Sequence, residues 1–321
     1  MNKSKNDKLR AAVVGVGYLG RFHAQKYKNN PDVDLVGIVD IDAGRAEEVA
    51  AEVGARPFTD YREILPLVDM VSIVVPTRYH FAVAKDCFSA GCHVLLEKPV
   101  TKTVAEAEDL IQLADSKGLV FQVGHLERFN PAVLALKGVL KNPQFIESHR
   151  LAPFKPRGTD VNVVLDLMIH DIDILLSLVM HPIKTINSVG VPVLSDEVDI
   201  ANARLQFENG CVANVTASRA SREAMRKMRI FQQDAYISID FQSRKIAIYR
   251  KKTGLNLIPG LPGVTIEERT FDQGDSLQDE INAFVASVRD GNPPVVSGAD
   301  GKRALEVAMQ ITGKLWHEVS A

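Results

Sequence analysis

Leu9-Arg10-Ala11-Ala12-Val13-Val14-Gly15-Val16-Gly17-Tyr18-Leu19-Gly20 decides the fold. The run to Val14 is short and apolar, as a buried strand requires, and the glycines follow at once. Leu19 to Tyr27 then opens a helix. Gly15 permits a tight turn, Gly17 lets the backbone approach a pyrophosphate, and Gly20 allows close helix–strand packing. The helix start offers unpaired N–H groups and a positive dipole end to the phosphates. A second apolar strand, Val33 to Val39, ends at Asp40, about 20 residues past Gly20, where a carboxylate accepts hydrogen bonds from ribose hydroxyls. The spacing predicts a dinucleotide cradle formed by Gly15, Gly17, Tyr18, Leu19, Gly20 and Asp40.

Outward from there, strand and helix alternate. Asp42 caps a helix carrying Ala46, Val49, Ala50 and Val53, stopped by Gly54. Met70 to Val75 and His93 to Leu96 read as buried strands. Thr103-x-x-Glu106 is a capping box before Val104, Ala107, Leu110, Ile111 and Ala114, and Val120 to Val123 is a further strand. Repeated βα units predict a doubly wound parallel sheet, a Rossmann domain over 1–125, with ligands at the strand carboxyl ends. Asp40, Pro76-Thr77 and Glu97-Lys98 fall at such ends. His80, near the third, either touches the nicotinamide side or starts a helix.

From 126 to 321 the period changes. Ala201, Ala203, Leu205 and Phe207 alternate with polar residues, Asn209-Gly210 turns, and Cys211, Ala213, Val215 and Ala217 alternate again. That is a hairpin. Ala235 to Phe241 and Ile246 to Tyr249 extend it into an open antiparallel sheet, covered by helices near 167–179, 276–289 and 300–317. Residues 251–275, rich in Gly and Pro, read as a long loop or irregular strands.

Composition fits a soluble, cytoplasmic enzyme. The 321 residues are 46% hydrophobic, enough for two cores, and the net charge of −2 provides no basic field for nucleic acid or membrane. The basic leader has no apolar segment long enough for a signal peptide and no run approaches a membrane span, so neither is expected. Cys87, Cys92 and Cys211 are scattered without CxxC spacing, so they read as reduced thiols and no metal site is expected.

Two further motifs carry chemistry. Lys98, in Glu97-Lys98-Pro99, follows a buried strand; an ammonium there stabilises an alkoxide as hydride leaves, whereas elsewhere it would be a surface lysine paired with Glu97. Asp166, His170 and Asp173 lie at i, i+4 and i+7 and share a helix face. Asp166 fixes the imidazole tautomer and His170 takes the hydroxyl proton. The bland alternative is a polar face with a helix-capping Asp166. Asp173 reads as an orienting or structural group. Asn130-Pro131 suits a helix start, and Arg219 closes a hairpin strand.

Gly15-Val16-Gly17-Tyr18-Leu19-Gly20, Pro76-Thr77-Arg78-Tyr79-His80, Glu97-Lys98-Pro99 and Asp166-Leu167-Met168-Ile169-His170 in this order resemble the Gfo/Idh/MocA family over nearly the whole chain. The resemblance implies oxidation or reduction of a sugar or cyclitol hydroxyl with NAD or NADP, Glu97 and Lys98 lying beside the cofactor, and the bond before Pro99 often being cis. Val163, Val164 and Met168 stand where many members carry glycines. Gly124 to Pro131 resembles the subgroup acting on UDP-linked N-acetyl sugars at the 3-hydroxyl, making Arg128, Asn130, Arg157, Asp173 and Arg219 substrate candidates. Homo-oligomers built on the sheet face, a dimer or tetramer, are also implied. An aminotransferase would consume the reactive 3-keto product. Asp40 and Asp42 favour NAD over NADP. A dehydrogenase of free sugars, cyclitols or dihydrodiols, a redox-neutral glycosidase and a non-catalytic NAD-sensing regulator are the competing readings.

Overall fold

The structure is a computed structural model that describes residues 8–154, 161–252, 263–272 and 274–315. The chain divides into two compact units, residues 1–126 with 275–305, and 127–274 with 306–321.

In the first unit, β1 (Leu9–Val14), β2 (Val33–Val39), β3 (Arg56–Phe58), β4 (Met70–Ile73), β5 (His93–Glu97) and β6 (Phe121–Gly124) form a sheet of order β3-β2-β1-β4-β5-β6, with every pairing parallel. The order reverses direction between β1 and β4, so right-handed crossovers put helices on both faces. The Tyr18–Lys28 helix packs with Ala43–Val53, and His80–Ser89 with Val104–Ser116. The expected caps are in place. Asp42 Oδ1 accepts from Arg45 N–H at 3.1 Å, and Thr103 and Glu106 form the reciprocal box.

Residues 275–305 correct the domain reading, which placed them in the second domain. The Ser276–Asp290 helix buries Leu277, Ile281, Phe284 and Val285 against Val13, Ala24 and Tyr27 of the first unit. Val123 N–H then bonds Val296 O at 3.0 Å, along the edge of β6. Hydrophobic periodicity shows which face of a helix is buried; it does not say against which sheet.

The second unit is a sheet of eight strands: β7 (Pro143–Leu151), β8 (Ile183–Val191), β9 (Ile200–Phe207), β10 (Val212–Ser218), β11 (Met225–Gln232), β12 (Ala235–Asp240), β13 (Lys245–Lys252) and β14 (Gly263–Thr270). Their order is β14-β13-β12-β11-β7-β10-β9-β8. The β9–β10 hairpin closes at Gly210, whose φ of +88° favours glycine. One expectation needs amending. β7 and β10 run parallel, so the sheet is mixed rather than wholly antiparallel. The Ile169–Leu178 helix covers its apolar face, on which Ala201, Ala203, Leu205, Ala213, Val215 and Ala217 are buried. Residues 263–270 form a regular edge strand within the stretch read as a long loop or irregular strands.

Candidate functional site

The glycine turn has the geometry its spacing predicts. Gly15 has φ +85°, and a Cβ on Gly20 would lie 1.9 Å from the Gly15 carbonyl oxygen. Gly17 is different, because a Cβ there would meet nothing within 4 Å. It is the N-cap of the Tyr18–Lys28 helix and provides no side-chain cap. Tyr18 is 72% exposed and Leu19 half-buried beside it. Asp40 is buried at the end of β2, where Oδ2 accepts from Val16 N–H at 2.9 Å and Oδ1 from Asp42 N–H at 3.0 Å. Arg45 Nη1 lies 3.4 Å from Asp40 and Nη2 3.3 Å from Asp42. A glycine shelf at a helix N-terminus beside a buried carboxylate fits a dinucleotide.

The ends of β4 and β5 carry the other first-unit candidates. Pro76 is exposed and Thr77 begins a 3-10 turn. His80 is buried, its Nδ1 lying 2.8 Å from Pro99 O and its Nε2 2.8 Å from Val75 O. Burial holds its pKa below the ordinary value, against the pull of those carbonyls. It ties the loop after β4 to the Glu97-Lys98-Pro99 loop and also begins the His80–Ser89 helix. The Lys98–Pro99 bond is cis. Lys98 is half-buried, while Glu97 turns inward: Oε2 accepts from Lys98 N–H at 3.3 Å and Oε1 faces His23 Nε2 at 3.3 Å.

In the second unit, Val164–Met168 forms a π turn ahead of the Ile169–Leu178 helix. Asp166 therefore sits in a wider turn than the α-helical i, i+4 spacing assumed. It is not the helix cap, because Asn162 Oδ1 accepts from the N–H groups of Val164 and Leu165, both at 3.1 Å. Asp166 and His170 are half-buried. Asp171 and Asp173 are 1% exposed and anchor the helix. Asp171 accepts from Ser148 Oγ at 2.7 Å and from Arg150 Nε at 2.5 Å, and Arg150 Nη1 reaches Glu127 at 2.9 Å. Asp173 takes both Nε (2.7 Å) and Nη2 (3.2 Å) of Arg128. The segment after β6 and the helix bearing His170 are thus joined directly by the Arg128–Asp173 pair, and through Arg150 of β7 by its pairs with Glu127 and Asp171.

Three substrate candidates are placed differently from expectation. Asn130 is buried as a helix cap, accepting from Ala132 N–H at 3.1 Å and donating to Phe241 O at 3.3 Å. Arg219, its side chain 6% exposed, donates to Asp199 (2.8 Å), Val161 O (2.6 Å) and Ser195 Oγ (3.1 Å). Burial works to raise the Asp199 carboxyl, but Arg219, Ser195 and backbone N–H groups outweigh it and hold the pKa below the usual carboxylate range. These are framework contacts, which corrects the reading of Asn130 and Arg219 as sugar or phosphate ligands. Asp173 proves structural through Arg128. Arg157 lies outside the described residues.

Sequence reasoning passed over Arg150, Glu127 and Asp171. A signal existed: on β7 the buried positions are Pro143, Ile146, Ser148 and Arg150, and an arginine on an apolar face demands a carboxylate. Among the described residues, no helix is long and apolar enough to cross a membrane. The three cysteines are buried and free.

Residues 9–125 match the family described as "Oxidoreductase family, NAD-binding Rossmann fold", and residues 140–238 match its C-terminal domain. The chain is 43% identical over 304 residues to UDP-N-acetylglucosamine 3-dehydrogenase of Acidithiobacillus ferrooxidans, covering 94% of this chain and 96% of that enzyme. It belongs to the Gfo/Idh/MocA oxidoreductase family. A solved structure of the Acidithiobacillus enzyme superposes with a TM-score of 0.92 at 42% identity, over 98% of this chain and 99% of that one. Bacillus subtilis scyllo-inositol 2-dehydrogenase (NAD(+)) is 28% identical, covering 95% of this chain and 93% of its own. Levoglucosan dehydrogenase in complex with NADH, at 19% identity and TM-score 0.84 over 96% of this chain and 97% of that one, shares the fold. Membership in the Gfo/Idh/MocA family makes the first unit an NAD-binding Rossmann domain and the chain an oxidoreductase.

Proposed function

We propose that this oxidoreductase uses NAD to oxidise the 3-hydroxyl of UDP-N-acetylglucosamine, or of a related UDP-N-acetylhexosamine, to a ketone. The observation that carries the reading is the 43% identity, over 94% of the chain, to an enzyme named for that reaction. NAD, when bound, supplies the hydride acceptor. The Gly15–Gly20 turn would hold its pyrophosphate through backbone N–H groups, with Tyr18 and Leu19 beside it, and Asp40 would hold its ribose hydroxyls. Pro76, Thr77, His80 and Glu97 would shape its nicotinamide side. Asp40 and Asp42 form a negative pocket that disfavours a 2′-phosphate, and Arg45 is already engaged by both carboxylates.

His170 takes the proton of the reacting hydroxyl, with Asp166 setting its tautomer. Lys98 donates to the same oxygen and stabilises the negative charge that develops as hydride leaves. Asp171 and Asp173 hold the helix that carries His170, so the base is fixed by charge pairs rather than by a loop. Arg128, its side chain 15% exposed and paired with Asp173, is more exposed than Arg150 beside the same helix and is the candidate contact for the diphosphate. Arg157 completes the candidate set.

The 3-keto product is reactive and its formation unfavourable, so an aminotransferase that consumes it is the natural partner. A homodimer or homotetramer and a cytoplasmic location complete the reading. The experiment couples the enzyme to such a transferase and compares UDP-N-acetylglucosamine, UDP-glucose, glucose and scyllo-inositol, with NAD and NADP in parallel. Coupled turnover with the UDP-N-acetyl sugar and NAD is expected. Turnover with the free cyclitol alone would replace this reading by the cyclitol dehydrogenase that the 28% relative exemplifies.

A further inference from the structure

Behind the Glu97-Lys98-Pro99 loop, inside the first unit, lies a polar cluster of which the proposed reaction uses only Glu97. His23 and Glu280 are both 0% exposed, on the Tyr18–Lys28 and Ser276–Asp290 helices, and Glu97 ends β5. One ring nitrogen of His23 and one oxygen from each carboxylate lie within 4.8 Å of one another. Among the described residues neither Glu280 oxygen has a hydrogen-bond partner. Two bare carboxylates this close in an apolar core would repel strongly, and each would lack solvation. Something positive must sit between them.

The neighbouring donors show where protons already are. Tyr27 Oη, fully buried, lies 2.8 Å from Ser72 Oγ, and Ser72 Oγ lies 3.3 Å from His23 Nδ1. With Tyr27 donating to Ser72, Ser72 donates to Nδ1 and the ring proton sits on Nε2, facing Glu97 Oε1 at 3.3 Å. Glu97 Oε2 accepts from Lys98 N–H at 3.3 Å. Glu97 thus has a donor on Oε2 and the His23 ring beside Oε1. The groups around Glu280 are Glu97, His23, Tyr27 and Gln122, whose Nε2 is spent on the Glu280 backbone carbonyl at 3.1 Å. None of the four brings Glu280 a cation of its own.

We propose that Glu280 is carried in the folded protein as a neutral carboxylic acid whose proton faces the Glu97 carboxylate, making it a positioning residue for the Glu97-Lys98-Pro99 loop. A separation of up to 4.8 Å is one that a direct hydrogen bond or a single buried water can span. Burial, and then the charge of Glu97, push the Glu280 carboxyl well above the usual carboxylate range, in the same direction. The acid would keep Glu97 in one orientation and leave a single negative charge behind the lysine. This last step rests on the proposed role of Lys98; the protonation state does not.

Glu280→Gln keeps a neutral donor of the same shape, and Glu280→Met keeps the volume without one. In infrared difference spectra, wild type minus Glu280→Gln is expected to show a protonated-carboxyl carbonyl band at neutral pH; a carboxylate band alone would overturn the proposal. From the usual carboxylate range up to the raised folded pKa, the unfolded chain ionises at this position while the folded chain does not, so unfolding releases a proton and wild type loses stability as pH rises. The Tm advantage of Glu280→Gln should widen over that window; a constant gap would overturn the proposal. With substrate, kcat should fall about 3- to 10-fold in Glu280→Met and be restored in Glu280→Gln, the scale of one hydrogen bond acting through Glu97. Equal kcat in all three would remove the positioning role. A stoichiometric divalent metal in purified wild type that is lost in Glu280→Gln would replace the proton with a cation. The spectra and melting curves need no turnover, so they read the cluster even if the substrate proposal fails.

Discussion

Replacing Gly17 and Gly20 by alanine, one at a time, separates folding from cofactor binding within six residues. At Gly17 the added methyl meets no atom within 4 Å and φ is −63°, so the backbone is unstrained. The cost in stability should stay within about 1 kcal/mol, the balance between a poorer N-cap and a less flexible unfolded chain. The same methyl projects into the space the cofactor pyrophosphate is proposed to enter. NAD affinity should therefore fall at least about tenfold, equal to about 1.4 kcal/mol. At Gly20 the methyl would lie 1.9 Å from the Gly15 carbonyl oxygen, which is backbone and cannot move aside. That variant should lose about 3 kcal/mol or more and express poorly. Calorimetric unfolding with and without NAD reads both effects. With NAD at a hundred times the wild-type Kd, wild type gains about 2.7 kcal/mol, and a tenfold-weakened Gly17→Ala gains about 1.4. Equal NAD stabilisation in Gly17→Ala and wild type would refute the assignment of this turn as the phosphate cradle.

Arg150→Met strands two carboxylates, Asp171 at 1% and Glu127 at 14% side-chain exposure, and should cost about 3–5 kcal/mol, or about 6–20 °C in the Tm of a unit this size. Adding Asp171→Leu should recover part of that loss, and simple additivity of the two in denaturant titrations would mean that they do not interact. Asp199, held below the usual carboxylate range, contributes stability that is complete above its unfolded pKa and is lost as pH falls through the folded one. Asp199→Asn should therefore be the less stable protein at neutral pH and flatten the acid limb of the curve; parallel curves would contradict this. Lys98→Met and His170→Ala should each lower turnover roughly 10²- to 10⁴-fold with little change in NAD affinity, and near-normal turnover in His170→Ala would move the base elsewhere.

What was legible in the sequence was local. The strand–turn–helix around Gly15 to Gly20, the caps at Asp42 and Thr103 and the Asn209-Gly210 hairpin depend on residues close in the chain, and the structure has each one where expected. What was not legible was partnership across the chain. Arg219 and Asn130 look like ligands for a charged sugar until Asp199 and Phe241 are found beside them. Glu280 looks like an exposed helix residue, since glutamate is common on polar faces, yet it points into the core. The π turn at Asp166 also escaped, because i, i+4 spacing assumes a regular helix.

The return of residues 275–305 to the first unit has a consequence for biosynthesis. Leu277, Ile281, Phe284 and Val285 complete a core whose other members were made early in translation. Roughly 150 residues separate Leu126 from Leu277, so at about 5–20 residues per second the ribosome takes roughly 8–30 seconds to deliver the missing helix. During that interval the face of the core beside the Tyr18–Lys28 helix is bare, and the whole second unit emerges before it is covered. The helix that closes the nucleotide-binding unit is therefore a late-arriving part, and a chain truncated before residue 275 would leave that face open to chaperones and proteases.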